Sequence, residues 1–201
     1  MMAKIRTVLW TLVVVAALGA GWIFYTDWMQ SRSGPDYAAA QYGAGDYELV
    51  TAQGAPVDDS VFVGKPSLVF FGFTHCPDVC PTTLGDMQYW FDQLGGQADA
   101  INAYFVSVDP ERDTPQVLGD YVGWVSDRIT GITGEPEEID KIVDAWGVLA
   151  ERVPLDDGGY TMNHTASVFL IDSQGKFFGT IAYQEAPQTA LGKIERLIAE
   201  G

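Results

Sequence analysis

An α/β domain with a central mixed β-sheet flanked by helices, preceded by one N-terminal transmembrane helix, is what this sequence predicts. Two patterns carry the soluble part. Apolar runs of strand length alternate with apolar residues at helical spacing, an order that makes a largely parallel sheet. Toward the end, two runs flanking Ser173-Gln174-Gly175 add an antiparallel hairpin. A third pattern, a charge-free apolar run at residues 7–25, carries the membrane helix. Composition agrees: 47% hydrophobic residues with no biased tract suit a packed core rather than disorder. The 11 Lys+Arg stand against 27 Asp+Glu, a net charge of -16, and residues 1–32 hold Lys4, Arg6 and Arg32 against Asp27 alone. The acid excess therefore belongs to the domain beyond, and it argues against nucleic-acid binding, which needs a basic face. Its plainest role is solubility.

The run at 7–25 is long enough, at ~1.5 Å per residue, to cross a hydrocarbon core of ~30 Å. Lys4 and Arg6 precede it, and Trp10, Trp22, Phe24, Tyr25 and Trp28 mark its ends. That arrangement places the N-terminus in the cytoplasm and the following domain on the extracytoplasmic, periplasmic side of the inner membrane. The competing reading is a cleaved signal peptide: Ala17-Leu18-Gly19 supplies the small residues, but the apolar run continues past them. The plan is an anchor at 1–28, a Gly-, Ser- and Ala-rich linker at 29–46 and a domain at 47–201.

Within the domain, Tyr47-Glu48-Leu49-Val50 reads as a short strand, and the apolar run at 67–73 as a central strand buried on both faces. Leu84, Met87, Trp90, Phe91 and Leu94 then recur at helical spacing until Gly95-Gly96, forming the helix face that packs on the sheet. A strand at 103–108, helices at 115–125 and 135–146, the hairpin at 166–172 and 176–183, and a helix at 188–200 complete the order. That is the order of a thioredoxin-like domain. Asp113-Thr114-Pro115 fits a capped helix start, while Asp109, Glu111 and Arg112 orient a site, meet a partner or form a local ion pair.

The only two cysteines, Cys76 and Cys80, fall where the central strand turns into a helix. In an oxidising compartment a disulfide bond is the default for a pair, but a staple this short removes little chain entropy. Spacing of i and i+4 on a helix holds Cβ atoms about 5–6 Å apart, wider than the ~3.5–4.5 Å of a disulfide. A metal bridges that gap more easily. The helix start also favours thiolates, so the pair reads as functional, for metal binding or redox exchange. Two soft sulfurs suit Cu(I) first and zinc second. Two histidines are available: His75 adjoins Cys76 and reads as a loop residue, whereas His164 precedes the strand whose leading loop faces the cysteine turn. No proline occurs between Pro154 and Pro187, where thioredoxin-type exchangers usually carry one. Met162, two residues before His164, reads as packing.

Residues 71–81 around Thr74-His75-Cys76-Pro77-Asp78-Val79-Cys80-Pro81, residues 106–115 around Asp109-Pro110-Glu111-Arg112-Asp113, and His164 ahead of Ser167-Val168-Phe169 together resemble the Sco/SenC family over about 45–200. The resemblance implies a membrane-tethered copper metallochaperone with Cys76, Cys80 and His164 as ligands to one copper ion, Cu(I) and/or Cu(II). It implies delivery to the copper A centre of a cytochrome c oxidase subunit during assembly, with an upstream copper donor or thiol reductant as further partner. The alternative is a thiol–disulfide oxidoreductase acting through Cys76 and Cys80 to keep the oxidase cysteines reduced. A copper or redox sensor acting through protein contacts is a third class. Asn163 stands where the family commonly has Asp, a departure that puts the orientation of the imidazole in question.

Overall fold

The computed structural model describes residues 41–201 except Asp157, together with Trp10, Gly19, Gly21, Trp22 and Tyr25, which are helical. The chain divides into two units, Met1–Tyr37 and Ala38–Gly201. Apart from those five residues, the expected anchor at 1–28 lies outside the described residues, as does 29–40 of the expected linker. Among the described residues no helix is long and apolar enough to cross a membrane.

The domain is built on β3 (Ser67–Gly72), whose side chains are all buried. It lies between β4 (Asn102–Ser107), parallel to it, and β8 (Val168–Ile171), antiparallel to it. Helices cover both faces, which is why its sequence is apolar without alternation. Helix α1 (Val79–Leu94) carries the chain from β3 to β4, and α2 (Pro115–Gly123) carries it on to β5 (Ile129–Thr133), parallel to β4. Both crossovers step the same way across the sheet, so their right-handedness puts α1 and α2 on one face. The other face takes α3 (Pro136–Trp146), whose Trp146 lies against Phe62, Phe71 and Phe169 at ring separations of 4.9, 5.2 and 5.5 Å. β1 (Leu49–Thr51) runs antiparallel beside β5 with β2 (Pro56–Val57) outside it. β9 (Phe177–Ile181) pairs with β8, and α4 (Pro187–Glu200) ends the chain. The seven-stranded order is β2-β1-β5-β4-β3-β8-β9.

Several features depart from the sequence expectation. Residues 41–46, assigned to the linker, are part of the domain: the Tyr42 ring stacks 5.2 Å from Trp146 and 5.1 Å from Phe177, and its amide donates to Gly175 O at 2.7 Å. Residues 160–164, expected as loop, form strand β7 (Tyr160–His164), which pairs with β6 (Ala150–Pro154) in a separate two-stranded sheet. Neither strand shows the alternation of a buried face, so no periodicity announces them. Strand β5 was equally unmarked. Gly131 interrupts it because a Cβ there would lie 2.8 Å from Leu118 Cγ.

The same constraint is tighter at the end of β3. A Cβ on Gly72 would stand 2.7 Å from Cys80 Sγ and 2.7 Å from the Phe105 ring. Gly72→Ala is expected to lower the unfolding free energy by about 1–3 kcal/mol, the usual cost of overfilling a packed interior. Urea denaturation checks this, and an unchanged midpoint would show that Cys80 and Phe105 can move aside.

Candidate metal centre

β3 ends at Gly72, and Phe73-Thr74-His75-Cys76-Pro77-Asp78 turns the chain into α1 at Val79. Cys76 therefore lies ahead of the helix and Cys80 in its first turn, rather than both on one helical face as their spacing suggested. The sulfurs are brought together differently: the Cys80 amide donates to Cys76 Sγ at 3.3 Å, satisfying one of the free N–H groups of the helix start. Both are free thiols, Cys76 half-buried and Cys80 fully buried.

Asp113 holds this turn in place. Its buried carboxylate accepts from the Thr74 amide at 3.0 Å, the Thr74 hydroxyl at 2.5 Å and the Ser107 hydroxyl at 2.7 Å. The sequence reading took Asp113 or Thr114 as a helix cap; Thr114 does that work, accepting from the Val117 amide at 3.4 Å, which frees Asp113 to tie the cysteine turn to the end of β4. Having given its one proton to Asp113, the Thr74 hydroxyl accepts from His75 Nδ1 at 3.1 Å, and the His75 ring stays exposed, as its loop reading implied.

His164 ends β7 and reaches the dithiol from the other side. Its Nε2 lies 3.4 Å from Cys80 Sγ, and Cys76 Sγ, Cys80 Sγ and the imidazole nitrogen all fall within 4.8 Å of one another. Nδ1 is 3.0 Å from Thr165 O, an atom that can only accept. The proton is thus on Nδ1, and the Nε2 lone pair faces the sulfur. Phe73 and Phe70 meet the ring edge-on at 5.7 and 6.0 Å. Asn163 is exposed on the opposite side of the strand, and the contact that orients the imidazole is the one to Thr165 O. Met162 is half-buried against the core.

Burial governs the electrostatics. It pushes the Cys80 thiol well above the ordinary thiol range despite a backbone hydrogen bond at Phe73 that pulls down, and the neighbouring Cys76 and Asp113 push the same way. The thiolate expected from the helix start is thus opposed at Cys80 by burial of its sulfur. Burial also lowers His164, outweighing the carbonyls of Thr165 and Phe71, and so keeps the imidazole neutral. One further group was missed in the sequence: the Tyr121 hydroxyl is buried with no hydrogen-bond partner among the described residues, and its phenol is pushed up by burial and by the nearby Cys80, Cys76 and Asp113. Nothing in the spacing of α2 marks it.

These features define a class: thioredoxin-like domains in which a dithiol at a helix start faces a neutral imidazole brought in by a separate hairpin. More particularly, the chain belongs to the SCO1/SenC family, whose family model matches residues 35–199. Protein SenC of Rhodobacter capsulatus is 36% identical over 163 residues, covering 81% of this chain and 73% of that protein. The structure of Bradyrhizobium japonicum ScoI with copper bound is 41% identical at a TM-score of 0.71, covering 77% of this chain and 98% of that one. Arabidopsis thaliana ScoI with copper bound gives a TM-score of 0.73 at 28% identity, over 79% and 99% of the two chains.

The unequal burial of the two thiols has a chemical consequence. In the reduced protein, iodoacetamide should modify Cys76 well before Cys80. Because its thiol is raised, Cys80 should still be gaining reactivity with pH where an ordinary thiol, titrating near 8.5, has levelled off. Mass spectrometry of the two peptides across a pH series measures this; equal rates would contradict the described burial.

Proposed function

We propose that this protein is a copper carrier, binding one copper ion through Cys76, Cys80 and His164 and passing it to the copper A centre of a cytochrome c oxidase subunit during assembly. The observation that carries this reading is the contact between His164 Nε2 and Cys80 Sγ, which makes a three-donor set of the dithiol. Metal–sulfur bonds of ~2.3 Å and metal–nitrogen bonds of ~2.0 Å place the donors of a trigonal site about 4 Å apart. A set already within 4.8 Å closes on an ion with sub-ångström movement. Two thiolates and a neutral imidazole favour copper, and Cu(I) in particular.

Loading is coupled to proton release: Cys80 gives up the thiol proton that burial otherwise retains, while His164, already neutral, presents its lone pair without losing a proton. Transfer proceeds by ligand exchange at the exposed turn, where Cys76 is the accessible sulfur. The membrane assignment belongs to the same proposal: residues 7–25 anchor the chain in the inner membrane, and the domain works on the periplasmic side, where an upstream donor supplies copper or a reductant keeps the pair as thiols. The dithiol alone would suffice for thiol–disulfide exchange, and the imidazole contact is what favours metal.

Anaerobic competition titration of Cu(I) into the reduced full chain tests this. One equivalent should bind tightly; Cys76→Ser or Cys80→Ser should abolish tight binding, His164→Ala should weaken it severely, and His75→Ala should change little. Unaltered affinity in His164→Ala would remove the histidine from the ligand set and leave a redox dithiol.

A further inference from the structure

The hairpin that carries His164 is not part of the main sheet. β6 and β7 pair only with each other, and an isolated two-stranded hairpin is marginally stable in water. Its base is closed by Leu149 and Thr165, whose amides donate to Thr165 Oγ1 at 2.8 Å and Leu149 O at 3.1 Å, but those bonds join the hairpin to itself. Ala150 and Met162 pack against the core, and the polar contacts that fix the hairpin against the body cluster at Tyr160. The Tyr160 hydroxyl donates to Asp109 Oδ1 at 2.7 Å, and Arg112 Nη1 donates to Tyr160 O at 3.0 Å. The guanidinium groups of Arg112 and Arg152 lie 3.7 and 3.5 Å from the Tyr160 ring centroid; at such distances they take opposite faces, since one face has no room for both. Each cation is neutralised from the loop after β4: Arg112 by Asp109, and Arg152 by Glu111, with both carboxylate oxygens 3.0 Å from Nη1.

The sequence left Asp109, Glu111 and Arg112 between orienting the site, meeting a partner and forming a local ion pair; Arg112 and Asp109 do pair, and the copper reading uses none of the three. Asp109 is buried and Arg112 mostly so, which gives these contacts more weight than surface pairs carry. Tyr160 and His164 share one side of β7, at strand positions separated by an even number of residues. Holding the first thus fixes the height and rotation at which the second reaches Cys80.

We propose that Tyr160 is a positioning residue for His164: clamped between Arg112 and Arg152 and bonded to Asp109, it holds the hairpin so that the imidazole stays on the dithiol. The proposal rests on the copper reading for its functional consequence and on the apo protein for its structural one. If the clamp is loosened, the binding-competent placement of His164 is only fractionally populated, and apparent affinity falls by that fraction.

A double-mutant cycle on the full chain tests it. Tyr160→Ala should weaken Cu(I) binding about tenfold or more, without exceeding the loss in His164→Ala, and should add nothing in the His164→Ala background; Tyr160→Phe, which keeps the stacking, should lose only a fewfold. An equal loss with and without His164, or none at all, overturns the proposal. Amide hydrogen exchange in the copper-free protein supplies the independent reading. Residues 160–165 should exchange faster in Tyr160→Ala while β3 amides remain protected; unchanged exchange at 160–165 overturns the clamp. If exchange responds as expected but His164→Ala binds copper as wild type does, the clamp stands as a structural device, whereas the copper reading and the positioning role fail.

Discussion

A buried carboxylate that makes no ion pair among the described residues fixes the cysteine turn. Asp113 accepts three hydrogen bonds from neutral donors, two of them from Thr74, and the third anchors it to Ser107 at the end of β4. Parallel strands deliver their C-terminal ends to one edge of the sheet, so β3 and β4 bring Thr74 and Ser107 within reach of one side chain. Removing any donor would leave a lone pair unsatisfied in the interior, at a cost of about 1–3 kcal/mol. The turn ahead of Cys76 is thereby tied to the end of β4, though it has no ladder of its own.

Around that fixed turn, Cys80 and His164 are buried enough to stay neutral. Cys80 lies under Gly72 and the Phe105 ring, and His164 between two phenylalanines, so both lose the hydration that would favour their charged forms. The apo site therefore pairs a thiol donor with an imidazole acceptor, a hydrogen bond that needs no ion. Charge is kept away from the donors, in Asp113 and in the adjoining Asp109, Glu111, Arg112 and Arg152 cluster, which meets Asp113 where the Asp113 amide donates to Asp109 O at 2.9 Å. Neutral donors and a charged surround separate the chemistry of the centre from the work of positioning it.

The sequence made the sheet legible where burial was two-sided. β3, β4 and the α1 face are continuous or periodic in apolar residues because both surfaces of the central strands are covered, and these elements appear where the pattern put them. The dithiol was legible because only two cysteines exist, and His164 because a thioredoxin-like order brings the chain before β8 to the turn. What stayed hidden was held by polar or single-sided contacts. β6 and β7 bury no alternating face, Asp113 is indistinguishable from a cap until Thr74 is seen beside it, and the relation of Tyr160 to Asp109 joins residues distant along the chain. Cys76 was placed on the helix by spacing, but Pro77 and Asp78 delay the helix start until Val79.

The unequal burial of the two sulfurs has a kinetic side. An arriving molecule can touch Cys76 but cannot reach Cys80, which has strand β3 behind it and His164 alongside. The two sulfurs are therefore met in order, the outer one first and the inner one only when the residues around it give way. The depth of a single side chain thus makes two chemically identical thiols unequal in access.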